Sequence, residues 1–195
     1  MSHPRQTAQA QALADLVQQQ PRFMAQLRAV RGLGLQHWCI GAGAVRNLVW
    51  DHLHGHAQPS ALADVDVAFF DPTPPSPDHD ARLQSRLQAL LPGCPWEVTN
   101  QALVHTWFET FFGHAVPPLP SLEAAVASWP EYATAVGVWL DAADRVQVIA
   151  PLGLDDLWGQ RVRRNPARVS LATYRERVRS KRYTERWPQV VVEAA

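Results

Sequence analysis

Lysine is almost missing from this chain: one residue, Lys181, stands among eighteen basic residues in a total of 195. Eighteen Asp and Glu balance them, so the formal net charge at pH 7 is zero and no single sign of charge dominates. Cysteine is equally scarce. Cys39 and Cys94 lie in strand-like contexts with no His or Cys at zinc-ligand spacing, which excludes a disulfide framework and a structural zinc site and leaves two buried small thiols. No run approaches the ~18 consecutive apolar residues of a membrane-spanning helix. The polar start, with Gln6, Gln9, Gln11 and Gln18 to Gln20, lacks the charged-then-apolar layout of a secretory signal, so a cytoplasmic protein without a membrane partner is expected. There is no internal repeat. What the chain has is 47% hydrophobic residues, enough for one substantial core without staples.

Against that plain background an acidic pair stands out. Val65, Val67, Ala68, Phe69 and Phe70 are strand formers, and alternate side chains of a strand share a face. Asp64 and Asp66 therefore look the same way while Val65 and Val67 face the core. Two neighbouring carboxylates repel unless a cation lies between them, and oxygen-only ligands suit Mg2+ better than zinc. Taken alone, the triplet fits equally well a strand that ends at a solvent edge before the turn Asp71-Pro72.

Its neighbours tip the balance. Upstream, His37 to Ile40 reads as a short buried strand, and Gly41 and Gly43 let the backbone turn before a helix begins near Ala44. Free amides and the positive dipole end of that helix favour an anion such as a triphosphate, and Arg46 in the first turn adds a bidentate phosphate contact. The same glycines would also serve a helix packed closely on a strand. Downstream, Glu97 sits between Trp96 and Val98. With those two in the core and this third strand beside the second, Glu97 shares the face of Asp64 and Asp66, as a metal ligand or a base for an attacking hydroxyl.

These segments resemble the bacterial nucleotidyltransferase-like proteins of the DNA polymerase beta superfamily. The resemblance runs from about Gly41 to about Pro188 and rests on GAGAVRN, ADVDVAFFD, WEVTNQALVH, TAVGVWL, APLGLDDLWGQRVRRNP and RWPQV. It implies an α/β (α+β) nucleotidyltransferase fold, a small mixed sheet flanked by helices, with metal bound by Asp64, Asp66 and Glu97 and phosphate by Gly41 and Gly43. The turn is also similar to the glycine-glycine-x-valine-arginine-aspartate turn of CCA-adding enzymes, matched from Gly43 to Asn47, with Asn47 in place of the usual acid.

Along the chain, helices are expected over Ala8 to Val17 and Arg22 to Val30, then from about Asp78 to Leu91 after an exposed proline-rich loop, Asp71 to Pro77. Proline also punctuates Gly113 to Ser121, ahead of a short helix near Leu122 to Ser128, and Ala133 to Leu140 with Val146 to Ile149 reads as a hairpin extending the sheet. His52, His54 and His56 alternate across a helix end and do not share a face, and His105 reads as a packed histidine. Asp155 and Asp156 read as helix caps. Residues 1–150 form the expected catalytic domain with its N-terminal helical cap, and 151–195 a helical, basic extension packed on it. That tail carries ten basic residues from Arg161 to Arg186 against Glu176 and Glu185, and is helix-like from about Ser170 to Glu185. It presents either a basic face to polyphosphate or RNA, or an ordinary solvated arginine-rich helix.

The function expected is transfer of a nucleoside monophosphate from a nucleoside triphosphate to a hydroxyl acceptor, a small molecule, a tRNA end or a protein, with Mg2+ or Mn2+ as cofactor. The alternatives are a non-catalytic nucleotide-binding protein of the same fold and an RNA- or protein-binding partner using the basic tail.

Overall fold

The computed structural model describes residues 4–73, 76 and 78–194. Two helices lead, α1 (Pro4–Gln18) and α2 (Pro21–Arg31), and Pro21 opens α2 where its missing N–H costs nothing. Strand β1 (Trp38–Gly41) runs directly into α3 (Ala42–Leu53), followed by β2 (Val65–Phe69), α4 (His79–Leu90) and β3 (Trp96–Asn100). Next come α5 (Val104–Phe112) and α6 (Leu122–Ala127), then the hairpin of β4 (Gly137–Leu140) and β5 (Val146–Ile149). The chain closes with α7 (Asp155–Trp158), β6 (Arg161–Val162), α8 (Leu171–Lys181), α9 (Tyr183–Arg186) and β7 (Val191–Val192). No described helix is long and apolar enough to cross a membrane.

The five-stranded sheet has the order β3-β2-β1-β4-β5, antiparallel except where β2 and β3 run parallel. Parallel neighbours need a crossover, and α4 provides it, burying Leu83 and Leu87 against the sheet. One face of the sheet, with Ile40, Val65, Val67, Trp96, Val98 and Val138, packs into the main core under α1 to α4. The opposite face is covered only in part, by Leu122 and Val126 of α6 on Cys39 and Ala68. That second face leaves room for a polar site.

Residues after 150 share the main core rather than standing apart, through Leu157, Tyr174, Tyr183 and Trp187. Trp50 of α3 donates to the Leu157 carbonyl at 2.8 Å, and Trp187 donates to Asp51 Oδ1 at 2.8 Å. The single basic helix expected here is in fact two. Ser170 caps α8 by accepting from the Thr173 amide, and Arg182 takes a left-handed φ of 51° that ends α8 and turns the chain into α9. Asp155 and Asp156 lie in the first turn of α7, but Leu154 is its N-cap; the two acids pair instead with Arg5 and Arg163. Ala133 falls in a 3-10 turn before β4 rather than in the strand. In the proline-rich loop, residues 71–73 and 76 belong to no helix or strand, while Pro74, Pro75 and Pro77 lie outside the described residues.

The two glycines of the β1–α3 turn have different tasks. A Cβ on Gly41 would stand 2.5 Å from the Trp129 ring and 2.8 Å from the Val136 carbonyl oxygen, whereas one on Gly43 meets nothing nearer than Arg46 Nη2 at 3.8 Å. Gly41→Ala is expected to lower stability in urea titration by roughly 1–3 kcal/mol, the usual range for overpacking. Gly43→Ala should change it by less than about 1 kcal/mol; equal losses at the two positions would contradict this division.

Candidate active site

Antiparallel pairing of β1 with β2 sets Ile40 against Val67, so the turn after Ile40 lies beside the start of β2, where the acids are. Asp64 stands just ahead of the strand and Asp66 within it. In the parallel β2–β3 ladder Asp66 lies directly opposite Glu97, with Val65 opposite Trp96 and Val67 opposite Val98. The apolar pairs are buried, so the acids point away from the core. Asp64, Asp66 and Glu97 thus line one cavity of about 270 Å3, together with Gly43, Arg46, Thr134, Arg177 and Lys181. A separate cavity of about 580 Å3 between α2, α3 and the loop after α3 contains none of the three acids.

The phosphate turn differs in detail from the expectation. Gly41 packs against Trp129 and does not line the acid cavity; Ala42 and Gly43 do. Ala42 rather than a glycine takes the left-handed conformation, with φ 50°, a strain of about 1–2 kcal/mol. Its amide is used by the Val136 carbonyl at 3.1 Å. Among the described residues helix α3 has neither a side-chain cap nor an acid in its first turn, so the positive end of its dipole faces the acid-lined cavity.

Arg46 lines the cavity but is not a freely swinging phosphate clamp. It is only 3% exposed, and its Nε and Nη2 donate to Asn47 Oδ1 at 3.2 and 2.7 Å. The guanidinium carbon lies 5.5, 5.1 and 5.5 Å from the ring centres of Trp50, Tyr183 and Trp187. Burial lowers its pKa below the ordinary arginine value, yet aromatic faces and the Asn47 oxygen compensate a cation that, among the described residues, forms no ion pair.

Two further cations, Arg177 and Lys181, come from α8, and the sequence marked them only as part of a basic tail. Tyr174, Arg177, Val178 and Lys181 are spaced as one helical face, and that face turns inward. Glu131, 1% exposed, holds Arg177 through Nε to Oε1 at 2.7 Å and Nη2 to Oε2 at 3.2 Å, and also accepts from Thr134 Oγ1 at 2.9 Å. Burial opposes the charge on both partners, but their hydrogen bonds and mutual attraction outweigh it: the Glu131 pKa falls and the Arg177 pKa rises. The histidines serve elsewhere. His56 bonds Asp51 at 2.9 Å, His54 accepts from the Gln189 amide at 3.1 Å, and His105 is absent from the cavity wall.

The three acids are left with one another. None forms an ion pair among the described residues, and burial, then the charges of Asp64 and Glu97, push the Asp66 pKa from 3.8 up to about 7, with Lys181 and Arg177 pulling weakly the other way. An oxygen-only donor set of this kind is what hard divalent cations take. Among the described residues no three His, Cys, Asp or Glu side chains stand close enough around one point to hold a metal ion. Folded Asp66 keeps its proton to about pH 7 and the unfolded chain loses it near 3.8, so the folded state binds more protons in between and stability falls as pH rises through that window. In chelator-treated protein, Asp66→Asn should therefore melt higher than wild type at pH 8, by a gain on the order of 2–4 kcal/mol, and the two should converge at low pH. Identical melting at pH 8 would show that the Asp66 charge is not confined.

A nucleotidyltransferase family matches residues 28–192. Among solved structures, one described as an NMR structure that reveals a CCA-adding enzyme head domain superposes with a TM-score of 0.80 at 28% identity, covering 95% of this chain and 96% of that one. A tRNA-processing enzyme in an apo form gives a TM-score of 0.48 at 15% identity, covering 99% of this chain and 45% of that one, too slight a likeness to argue from. No curated protein matches. With that family spanning most of its length and the polymerase-beta-like fold shared with a CCA-adding enzyme head domain, the chain belongs to the nucleotidyltransferase family and is a transferase that moves a nucleotidyl group.

Proposed function

We propose that this transferase moves a nucleoside monophosphate from a nucleoside triphosphate to an acceptor hydroxyl, with divalent ions, Mg2+ or Mn2+, held by Asp64, Asp66 and Glu97. The observation that carries the reading is the single cavity in which those acids meet the open start of α3. When bound, the ions would neutralise phosphate charge and make the attacking hydroxyl easier to deprotonate. The chain's own residues bind and orient. The turn at Gly43 receives the phosphates on backbone amides at the positive end of α3. Arg46 adds fixed positive potential from beneath the turn. Glu97 is placed to take the acceptor proton, as a base within reach of the nucleophile does. A bond forms between the acceptor oxygen and the α-phosphorus while the bond from that phosphorus to the α,β-bridging oxygen breaks. Pyrophosphate leaves with the electron pair. Gly41 contributes by close packing rather than by touching phosphate.

The acceptor classes are a transfer RNA end, a small molecule and a protein hydroxyl. Likeness to a CCA-adding enzyme head domain puts transfer RNA first in the test. Each labelled triphosphate is incubated with the protein, Mg2+ or Mn2+, and either transfer RNA or a cell extract. A labelled product is expected with wild type and its loss with Asp66→Asn. The same product from the substituted protein would refute the catalytic assignment, and nucleotide binding without pyrophosphate release would identify a binding protein instead. Gly43→Val is expected to weaken triphosphate binding about tenfold or more while the protein stays folded, because a branched side chain covers the amides; unchanged affinity moves the phosphates elsewhere.

A further inference from the structure

Two cavities meet at the acid cluster. Besides the one that holds Asp66 and Glu97, a groove of about 680 Å3 runs between residues 61–64 and the corner of α8 and α9, where Arg182 and Arg186 lie. The two share four residues: Gly43, Arg46, Asp64 and Lys181. Lys181 is the one shared cation not already committed. Arg46 is caged by rings and Asn47. Arg177 is held by Glu131, Arg179 by Glu176 and Arg182 by Glu185. Arg186 donates to the Ala61 carbonyl at 3.0 Å and lies 4.2 Å over the Trp187 ring. Among the described residues Lys181 has no ion-pair partner, although its charge reaches Asp66. The chain's single lysine therefore sits, without a direct ion-pair partner among the described residues, where the acid cavity opens into a groove lined by Arg182 and Arg186 together with Asp64 and Glu185.

We propose that Lys181 binds the β- and γ-phosphates of the nucleotide and then the departing pyrophosphate, with the groove beyond it serving as the leaving-group exit. The inference rests on the transfer reading above. Strand order supplies the direction. The phosphate turn follows β1, Asp66 is on β2 and Glu97 on β3, so the three lie in sequence across the sheet, about 4.8 Å per strand. In phosphoryl transfer the entering and leaving oxygens lie roughly in line on opposite sides of phosphorus. With the phosphates at Gly43 and Lys181, the acceptor must then arrive over β3, past Glu97, Thr99 and Gln101. As its oxygen bonds to the α-phosphorus and its proton passes to Glu97, the bridging bond breaks and negative charge grows on the pyrophosphate beside Lys181. A compact ammonium on a flexible stem can follow that receding charge better than an arginine locked in a planar fork.

The test uses the full-length protein with Mg2+ and three probes: inorganic tripolyphosphate, pyrophosphate and the nucleoside monophosphates. Lys181→Met should weaken tripolyphosphate and pyrophosphate binding about tenfold or more, as loss of a charged hydrogen bond does. Monophosphate affinity and melting temperature should not move, and Lys181→Arg should restore most of the loss. In turnover, the triphosphate KM of Lys181→Met should rise. Tripolyphosphate affinity equal to wild type in Lys181→Met overturns the inference and leaves the transfer reading standing. Equal losses for monophosphate and tripolyphosphate overturn it as well, since they point to a structural role. Absence of product from wild type with every triphosphate and acceptor overturns the transfer reading and the inference with it.

Discussion

Asp66 faces Glu97 across one rung of the parallel β2–β3 ladder, and that pairing sets the terms for the whole site. A slip of β3 by one residue would send Glu97 into the core and bring Trp96 and Val98 out, and a slip of β2 would do the same to Asp66 with Val65 and Val67, so register is fixed by the apolar side chains that alternate with the acids. Trp96 and Val98 on one strand, and Val65 and Val67 on the other, supply that restraint from beneath. The restraint works against electrostatics. Asp66 is held near two other carboxylates in partial burial, where its proton is retained to about pH 7. Burial of the hydrophobic face outweighs the repulsion because it extends over five strands and the repulsion is local.

The remainder of the cavity is built by elements far away in sequence. Helix α3 contributes the turn, and the corner of α8 and α9 lays Tyr183 and Trp187 over Arg46, which fixes a cation beneath that turn. Glu131, just before β4, reaches the same corner through Arg177 and Tyr183. Aromatic contacts with a desolvated cation contribute about 2 kcal/mol or more each, and a hydrogen bond to a buried charged carboxylate about 1.5–3 kcal/mol. Their joint effect is positional: the tail is fastened at two points beside the cavity, so α8 turns the face bearing Arg177 and Lys181 toward the acids. Local strain accompanies this, in the left-handed Ala42 at the turn and the left-handed Arg182 at the α8–α9 corner.

Several features were legible in the sequence alone. Alternation around Asp64 and Asp66 gave their common face, the apolar flanks of Glu97 gave its orientation, and Pro21 and the hairpin at Asp141 to Asp144 marked their breaks. Others were not. Gly41 and Gly43 look alike in a sequence, yet one is demanded by the Trp129 ring from eighty-odd residues away and the other borders open space. Arg46 reads as a phosphate ligand from its place in the first turn, but its cage is made by Tyr183 and Trp187, which no local pattern connects to it. The ten basic residues of the tail were countable; the division between outward Arg175 and Arg179 and inward Arg177 and Lys181 depends on where α8 docks.

The sequence by itself determined the strands of the five-stranded sheet, the face each acid occupies and the nucleotidyltransferase resemblance, because alternation, turn chemistry and motif order are local properties of the chain; the short β6–β7 pair of the tail it did not show. Only the tertiary structure decided that β3 lies parallel beside β2 in the register opposing Asp66 to Glu97, and that the single lysine reaches their cavity. Both depend on packing between segments separated by tens of residues, where burial of shared apolar surface, not the identity of neighbours along the chain, selects the arrangement.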